Sequence, residues 1–366
     1  MRPTRTLRFA VIALVSLAYP NLATAADKAP PLVPGVRGLI TRAPATVKID
    51  GRLEEWSNAF CTSVHYNHAN LANRAAQFFY LWDEKALYIG LRALDQNRAN
   101  DAPLAIIADG DAVELYLDAR PPSALRGKDW TKGAIHLFFT PFEGTRLAPR
   151  WVIRAGIATS DTKLEGIEIA STLLPNNFGY EIEFKIPWTN FSEFTPKLGA
   201  VMGIDAELCS SDGARRTDRT FAYGSPLSVQ QPASQGLVQL VGSFDPDYLT
   251  QVGPAAFPFW VETPWHQGER ARVQATVGIP PAFAEIVGEV EIRLHNTDGT
   301  IIKTIKAHPE SFGPPALKFV RAVAWWSIDE FAPNSFLASA RVLSRTGKPL
   351  TTVAPRLVEE AQMSGR

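Results

Sequence analysis

The stretch Phe78-Phe79-Tyr80-Leu81-Trp82-Asp83-Glu84-Lys85-Ala86-Leu87-Tyr88-Ile89-Gly90-Leu91-Arg92-Ala93 decides the fold class. Two runs of aromatic and β-favouring residues flank a short charged break, the pattern of two strands joined by a tight turn. Working outward, similar short runs occur at 112–118, 134–140, 150–155, 166–170, 180–186 and 201–209, with little helical periodicity between them. A further block follows the Pro-interrupted stretch from Asp245 to Pro258. Its runs lie at 287–295, 300–307, 318–326 and 335–344, with Asn296-Thr297-Asp298-Gly299 as a hairpin turn. This pattern predicts an all-β chain of two β-sandwiches: an N-terminal jelly-roll or immunoglobulin-like sandwich and a smaller C-terminal immunoglobulin-like one.

The 366 residues carry 37 Lys+Arg against 37 Asp+Glu, with 46% apolar and 20% charged residues, ordinary values for a chain that buries a sizeable core. Arg2, Arg5 and Arg8, the apolar stretch Phe9 to Tyr19 and the small-x-small site Ala23-Thr24-Ala25 read as a secretory signal. Removing its three Arg and no acid leaves 34 bases against 37 acids, too mild a charge for electrostatic capture of a polymer. The expected organisation is a signal peptide at 1–25, a leader at 26–45, a first sandwich at 46–244, a linker at 245–260 and a second sandwich at 261–366. The protein is expected to be secreted or periplasmic, with neither nucleic acid nor membrane as a partner. In an oxidising compartment Cys61 and Cys209 either pair or remain two buried thiols.

Alternation assigns the faces of two strands. In Val113-Glu114-Leu115-Tyr116-Leu117-Asp118, Val113, Leu115 and Leu117 share the core face, and Glu114, Tyr116 and Asp118 the other. In Ile204-Asp205-Ala206-Glu207-Leu208-Cys209 the acids and the thiol likewise share the face away from the core. Carboxylates on such faces are suited to sugar hydroxyls, and aromatic rings to the apolar faces of a pyranose.

Five fragments in order, Ile49-Asp50-Gly51-Arg52-Leu53-Glu54-Glu55-Trp56, the 81–89 turn, Asp109-Gly110-Asp111-Ala112-Val113-Glu114, Gly179 to Trp188 and Gly203-Ile204-Asp205-Ala206-Glu207, resemble the family 9 carbohydrate-binding modules over about residues 46–242. The resemblance implies a sugar held between two Trp rings, with a Glu, an Arg and a Gln bonding its hydroxyls. Glu114 falls on the Glu, Glu207 on the Gln, and His136 near the Arg. Asp111 is expected to position the loop or a cation, and Tyr223 to supply a replacement ring. The two Trp positions hold Ala108 and, near its expected place, Val229. Structural calcium on loop carboxylates is implied as well, although Asp50, Asp83, Asp95 and Asp109 form no dense calcium-loop pattern, and the metal ligands stay unassigned.

The expected function is therefore non-catalytic binding of a saccharide or polysaccharide, in carbohydrate catabolism and accessory to a separate exported enzyme. Its alternative is an exported structural or protein-interaction protein with a degenerate sugar site. A glycosidase using Asp111 with Glu114, or Glu181 with Glu183, is the third reading. No nucleophile-elbow, phosphate-loop or dinucleotide motif occurs.

Overall fold

Asp83 closes the hairpin read from residues 78–93. Its Oδ1 accepts the N–H groups of Lys85 and Ala86, and its Oδ2 accepts the Tyr88 hydroxyl, a side-chain turn that pairs Trp82 with Leu87. The computed structural model describes residues 30–44, 46–65, 75–95, 97–120, 130, 133–153, 164–191, 193–211, 215–257, 259–262, 272–312, 319–327 and 335–359. The expected signal at 1–25 lies outside them.

The first part of the chain contains β1 (Val36–Arg42), β2 (Phe60–His65), β3 (Ala75–Trp82), β4 (Ala86–Leu94), β5 (Ala112–Asp118), β6 (Ala134–Glu143), β7 (Arg146–Ile153), β8 (Glu168–Leu173), β9 (Gly179–Pro187), β10 (Val201–Ser211), β11 (Arg216–Phe221) and β12 (Gly236–Val241). They hydrogen-bond in the order β7-β6-β5-β10-β12-β1-β3-β4-β9-β8, with β11 beside β10 and β2 beside β3. The sheet folds back on itself, so that β6 faces β9: Phe139 and Phe184 stand 3.8 Å apart between ring centroids, and Phe142 meets Tyr180 edge-on at 5.2 Å. The all-β sandwich is the observed fold.

Both faces of the β3–β4 hairpin are buried. Phe78, Tyr80, Trp82, Leu87, Ile89 and Leu91 enter the main core, while Phe79, Leu81 and Tyr88 pack with Leu53, Trp56 and Cys61. This second layer exists because Glu183 on β9 gathers the preceding loop. Its Oε2 accepts the N–H groups of Asp50, Gly51 and Arg52, and its Oε1 accepts the Trp56 indole N–H. Glu181 is held by Arg92 and by the Leu53 N–H. These two acids thus organise the Asp50-to-Trp56 loop.

Two expected boundaries need correction. The leader at 26–45 contains β1, a central strand running parallel to both β12 and β3, because Leu39 and Ile40 carry enough buried apolar surface to join the core. The linker at 245–260 contains α1 (Leu249–Ala256), whose Leu249, Val252 and Ala256 are buried and whose Gln251 donates to the Val33 carbonyl.

Beyond α1 lie β13 (Phe259–Glu262), β14 (Arg272–Ile279), β15 (Val287–His295), β16 (Ile301–Ala307), β17 (Glu310–Phe312), β18 (Phe319–Ser327), β19 (Ser335–Ser344) and β20 (Pro349–Glu359). They form two four-stranded sheets, β13-β14-β18-β17 and β16-β15-β19-β20. On β18 Trp326 is buried and Trp325 is exposed, as strand alternation requires. Phe283, just before β15, packs its ring against Phe60, Phe244 and Phe257, so the core runs without a break from one sandwich to the other. Cys61 and Cys209 are both buried, and no disulfide joins them. Among the described residues no helix is long and apolar enough to cross a membrane.

Candidate functional site

Antiparallel register brings the expected carboxylates together. Glu114 on β5 lies opposite Glu207 on β10, and Tyr116 lies opposite Asp205 on β10 and His136 on β6. Val113, Leu115 and Leu117 fill the core while Glu114 and Tyr116 point the other way, as alternation indicates. That second face is not open to solvent, however. The turn at 104–109, Trp130 and β11 cover it, and Glu207 is fully buried, with Glu114 only 3% exposed.

Each acid is satisfied from several directions. Glu114 Oε2 meets the Tyr116 hydroxyl at 2.7 Å and His136 Nε2 at 2.8 Å, and its Oε1 accepts Arg216 Nη1 at 3.0 Å. Glu207 accepts both Nε and Nη2 of Arg219 and meets the Tyr116 hydroxyl at 2.6 Å. Burial alone would raise the pKa of Glu114. The hydrogen bond and charge of His136, with Tyr116 and Arg216, outweigh it and hold the group down at about 2. Glu207 goes the other way, raised by burial and by the charge of Glu114 against the pull of Arg219. Beside them Cys209 is pushed well up by burial and both acids.

Above this network opens a cleft of about 380 Å³, lined by Ala105, Ile106, Ala108, Asp109, Glu114, Phe138, Arg216, Arg219 and Val229. Arg216 and Arg219, three residues apart, would face opposite ways on a regular strand. A bulge corrects this: Ser210 pairs with Asp218 but Ser211 with Arg216, so Thr217 is an extra residue that turns both guanidiniums toward the same acids. Nothing in the spacing of Arg216-Thr217-Asp218-Arg219 announces that bulge, and the two arginines are the site residues sequence reasoning missed.

The five expected site residues divide. Glu114 lines the cleft. Glu207 and His136 lie beneath it, His136 with its ring against Trp130 at 5.7 Å and Phe138 at 4.7 Å. Asp111 is elsewhere, at the end of β5. Its carboxylate accepts the Ala99 and Ser211 N–H groups and abuts Asp95, and burial followed by the Asp95 charge lifts its pKa to about 8. Tyr223, expected as a replacement ring, is a core residue. It fills the space over Gly38 and Gly236 and leans on Tyr80 at 6.3 Å. Trp130 donates its indole N–H to the Val229 carbonyl, and Phe221 lies under Arg219 at 5.2 Å; both brace the cleft.

Among the described residues, Glu114, Glu207 and Cys209 form one group of metal-capable side chains. It does not suit calcium, which takes roughly six to eight oxygens, because Arg216 and Arg219 already occupy the carboxylates and the third member is a thiol.

Residues 49–243, just over half of the chain, match the family described as carbohydrate family 9 binding domain-like. The chain belongs to this family. Solved family 9 carbohydrate-binding modules from Caldicellulosiruptor kristjanssonii, described in complex with cellotriose and with glucose, are 22% and 21% identical to it. They cover 56% and 57% of this chain and 95% and 96% of their own, with TM-scores of 0.44 and 0.45. A putative carbohydrate-binding protein from Bacteroides uniformis is 14% identical over 56% of this chain and 99% of its own, with a TM-score of 0.36. No curated protein matches. Within the family 9 domain of this chain, Ala108, at one expected Trp position, and Val229, near the other, both line the cleft.

Proposed function

We propose that this protein is an exported, non-catalytic saccharide binder whose ligand occupies the cleft over Glu114. One observation carries the reading: Ala108, at one ring position that the family resemblance implies, and Val229, near the other, line the same cleft as Glu114. Family membership supports carbohydrate binding, and a cleft of about 380 Å³, within the range of small-molecule sites, supports a small saccharide or the end of a chain. Turnover is disfavoured by the acids themselves. Glu114, held near 2, is no proton donor at neutral pH, and Glu207 is closed off from solvent. The protein would then act beside a separate exported enzyme, concentrating it on a polysaccharide, with the C-terminal sandwich as spacer or docking surface.

The test is binding of residues 26–366 to soluble and insoluble glycans with reducing-sugar release followed in the same samples. Binding without release supports the proposal; sustained release would show an enzyme instead. Failure to bind any glycan would favour the protein-interaction alternative, for which the specific observation is that Ala108 and Val229 bring no aromatic ring to the cleft.

A further inference from the structure

The cleft presents a chemistry different from a row of carboxylates waiting for hydroxyl protons. Both oxygens of Glu114 and of Glu207 already accept bonds, from Tyr116, His136 and Arg216 in one case and from Tyr116 and Arg219 in the other. A sugar hydroxyl entering as a donor meets acceptors that are already engaged. The arginines are in the opposite condition. Arg216 uses only Nη1, toward Glu114 and Cys209, and Arg219 uses only Nε and Nη2. Among the described residues, Nε and Nη2 of Arg216 and Nη1 of Arg219 have no partner, and a guanidinium carries donors on all three nitrogens.

The charges are also layered. The carboxylate side chains are 4% and 0% exposed, whereas both guanidinium side chains are 27% exposed. A ligand in the cleft therefore reaches the cations first and stands farther from the anions behind them, and Coulomb attraction weakens with that extra distance. The buried acids fix the orientation of the arginines before any ligand arrives, which reduces the entropy lost on binding. Ile106, Ala108, Phe138 and Val229 supply apolar walls. The remaining acid of the lining, Asp109, is exposed at the rim, where solvent and salt screen it.

We infer that the cleft selects an acidic saccharide, whose carboxylate or sulfate group accepts the free N–H groups of Arg216 and Arg219 while its ring lies against the apolar walls. This rests on the saccharide reading above. The guanidinium fork fits the planar oxygens of a uronate.

The test is calorimetric titration of residues 26–366 with four probes: an oligogalacturonate, a sulfated oligosaccharide, a neutral cello-oligosaccharide and poly-glutamate as an acidic non-sugar. At least one acidic oligosaccharide should bind about tenfold or more tighter than the neutral one, with the preference falling as salt rises; the carboxylated and sulfated arms identify the group. Arg219→Gln combined with Glu207→Gln removes the cation without stranding a buried acid and should abolish the preference, while Arg216→Lys should keep part of it. Equal or tighter binding of the neutral oligosaccharide would overturn this inference and leave saccharide binding standing. Equally tight binding of poly-glutamate would overturn it as charge alone, and failure of every sugar would defeat the underlying reading.

Discussion

The hydroxyl of Tyr116 lies 2.7 Å from Glu114 Oε2 and 2.6 Å from Glu207 Oε2, one proton serving two buried carboxylates. Tyr116 favours the ionised form of both acids, and they diverge because His136 holds Glu114 ionised while burial and the Glu114 charge raise Glu207. Tyr116→Phe deletes the bridge and leaves the acids facing each other. It is expected to cost about 2–4 kcal/mol in urea denaturation; a loss below about 0.5 kcal/mol would show that the arginines alone satisfy the pair.

Sequence alternation suggests that Glu114→Ala weakens ligand binding and leaves the domain folded. The structure changes that expectation, because the substitution strands Arg216 and His136 beside a buried Glu207. A loss of about 3–5 kcal/mol is expected on breaking such a pair. Circular dichroism melts of Glu114→Ala and the milder Glu114→Gln measure it.

Stability should fall as pH rises above about 4. Asp111 is raised from 3.8 to about 8, Glu183 from 4.5 to about 7 and Asp205 from 3.8 to about 6, each first by burial. An acid whose pKa is higher in the folded state stabilises fully below its unfolded value, and that contribution is lost as pH rises through the folded one. Glu114 acts oppositely, losing its contribution as pH falls from 4.5 toward 2. Urea midpoints should therefore peak near pH 4–5. Asp111→Asn should flatten the descent toward pH 8 by an amount on the order of a few kcal/mol; an unchanged slope would remove Asp111 as its cause.

Two glycines with nearly equal φ should respond differently to Ala. Gly51 has φ +85°, and an added Cβ would come within 2.6 Å of the Ser171 backbone; Gly299 has φ +89° with open space around it. Gly299→Ala is expected to cost about 1–2 kcal/mol from the left-handed conformation alone. Gly51→Ala must add a shift of the loop held by Glu183, and its thermal midpoint should fall clearly further.

Phe283→Ala should cost about 3–5 kcal/mol, since its ring fills the space among Phe60, Phe244 and Phe257. The shared core also implies one cooperative unfolding transition for both sandwiches in calorimetry. Two separated transitions in the unsubstituted protein would contradict that coupling.

Much of the strand content was legible because alternation survives in single strands. Ala112–Asp118, Val287–His295 and Ser335–Ser344 have the expected bounds. β1 was hidden among Pro, Ala and Gly, and its strand character comes from two parallel neighbours distant in sequence. At the site, the sides taken by Glu114, Tyr116 and Glu207 could be read from period two. Their burial could not, nor could the departure of Tyr223 into the space left by Gly38 and Gly236.

The sequence by itself determined the β-rich class, the family and which residues of β5 and β10 turn away from the core, since these depend on local periodicity and ordered motifs. Only the tertiary structure decided that the carboxylates are sealed beneath Arg216 and Arg219. That outcome needs a one-residue bulge in β11 and a covering turn at 104–109, contacts whose geometry is set by strand pairing and not by local pattern.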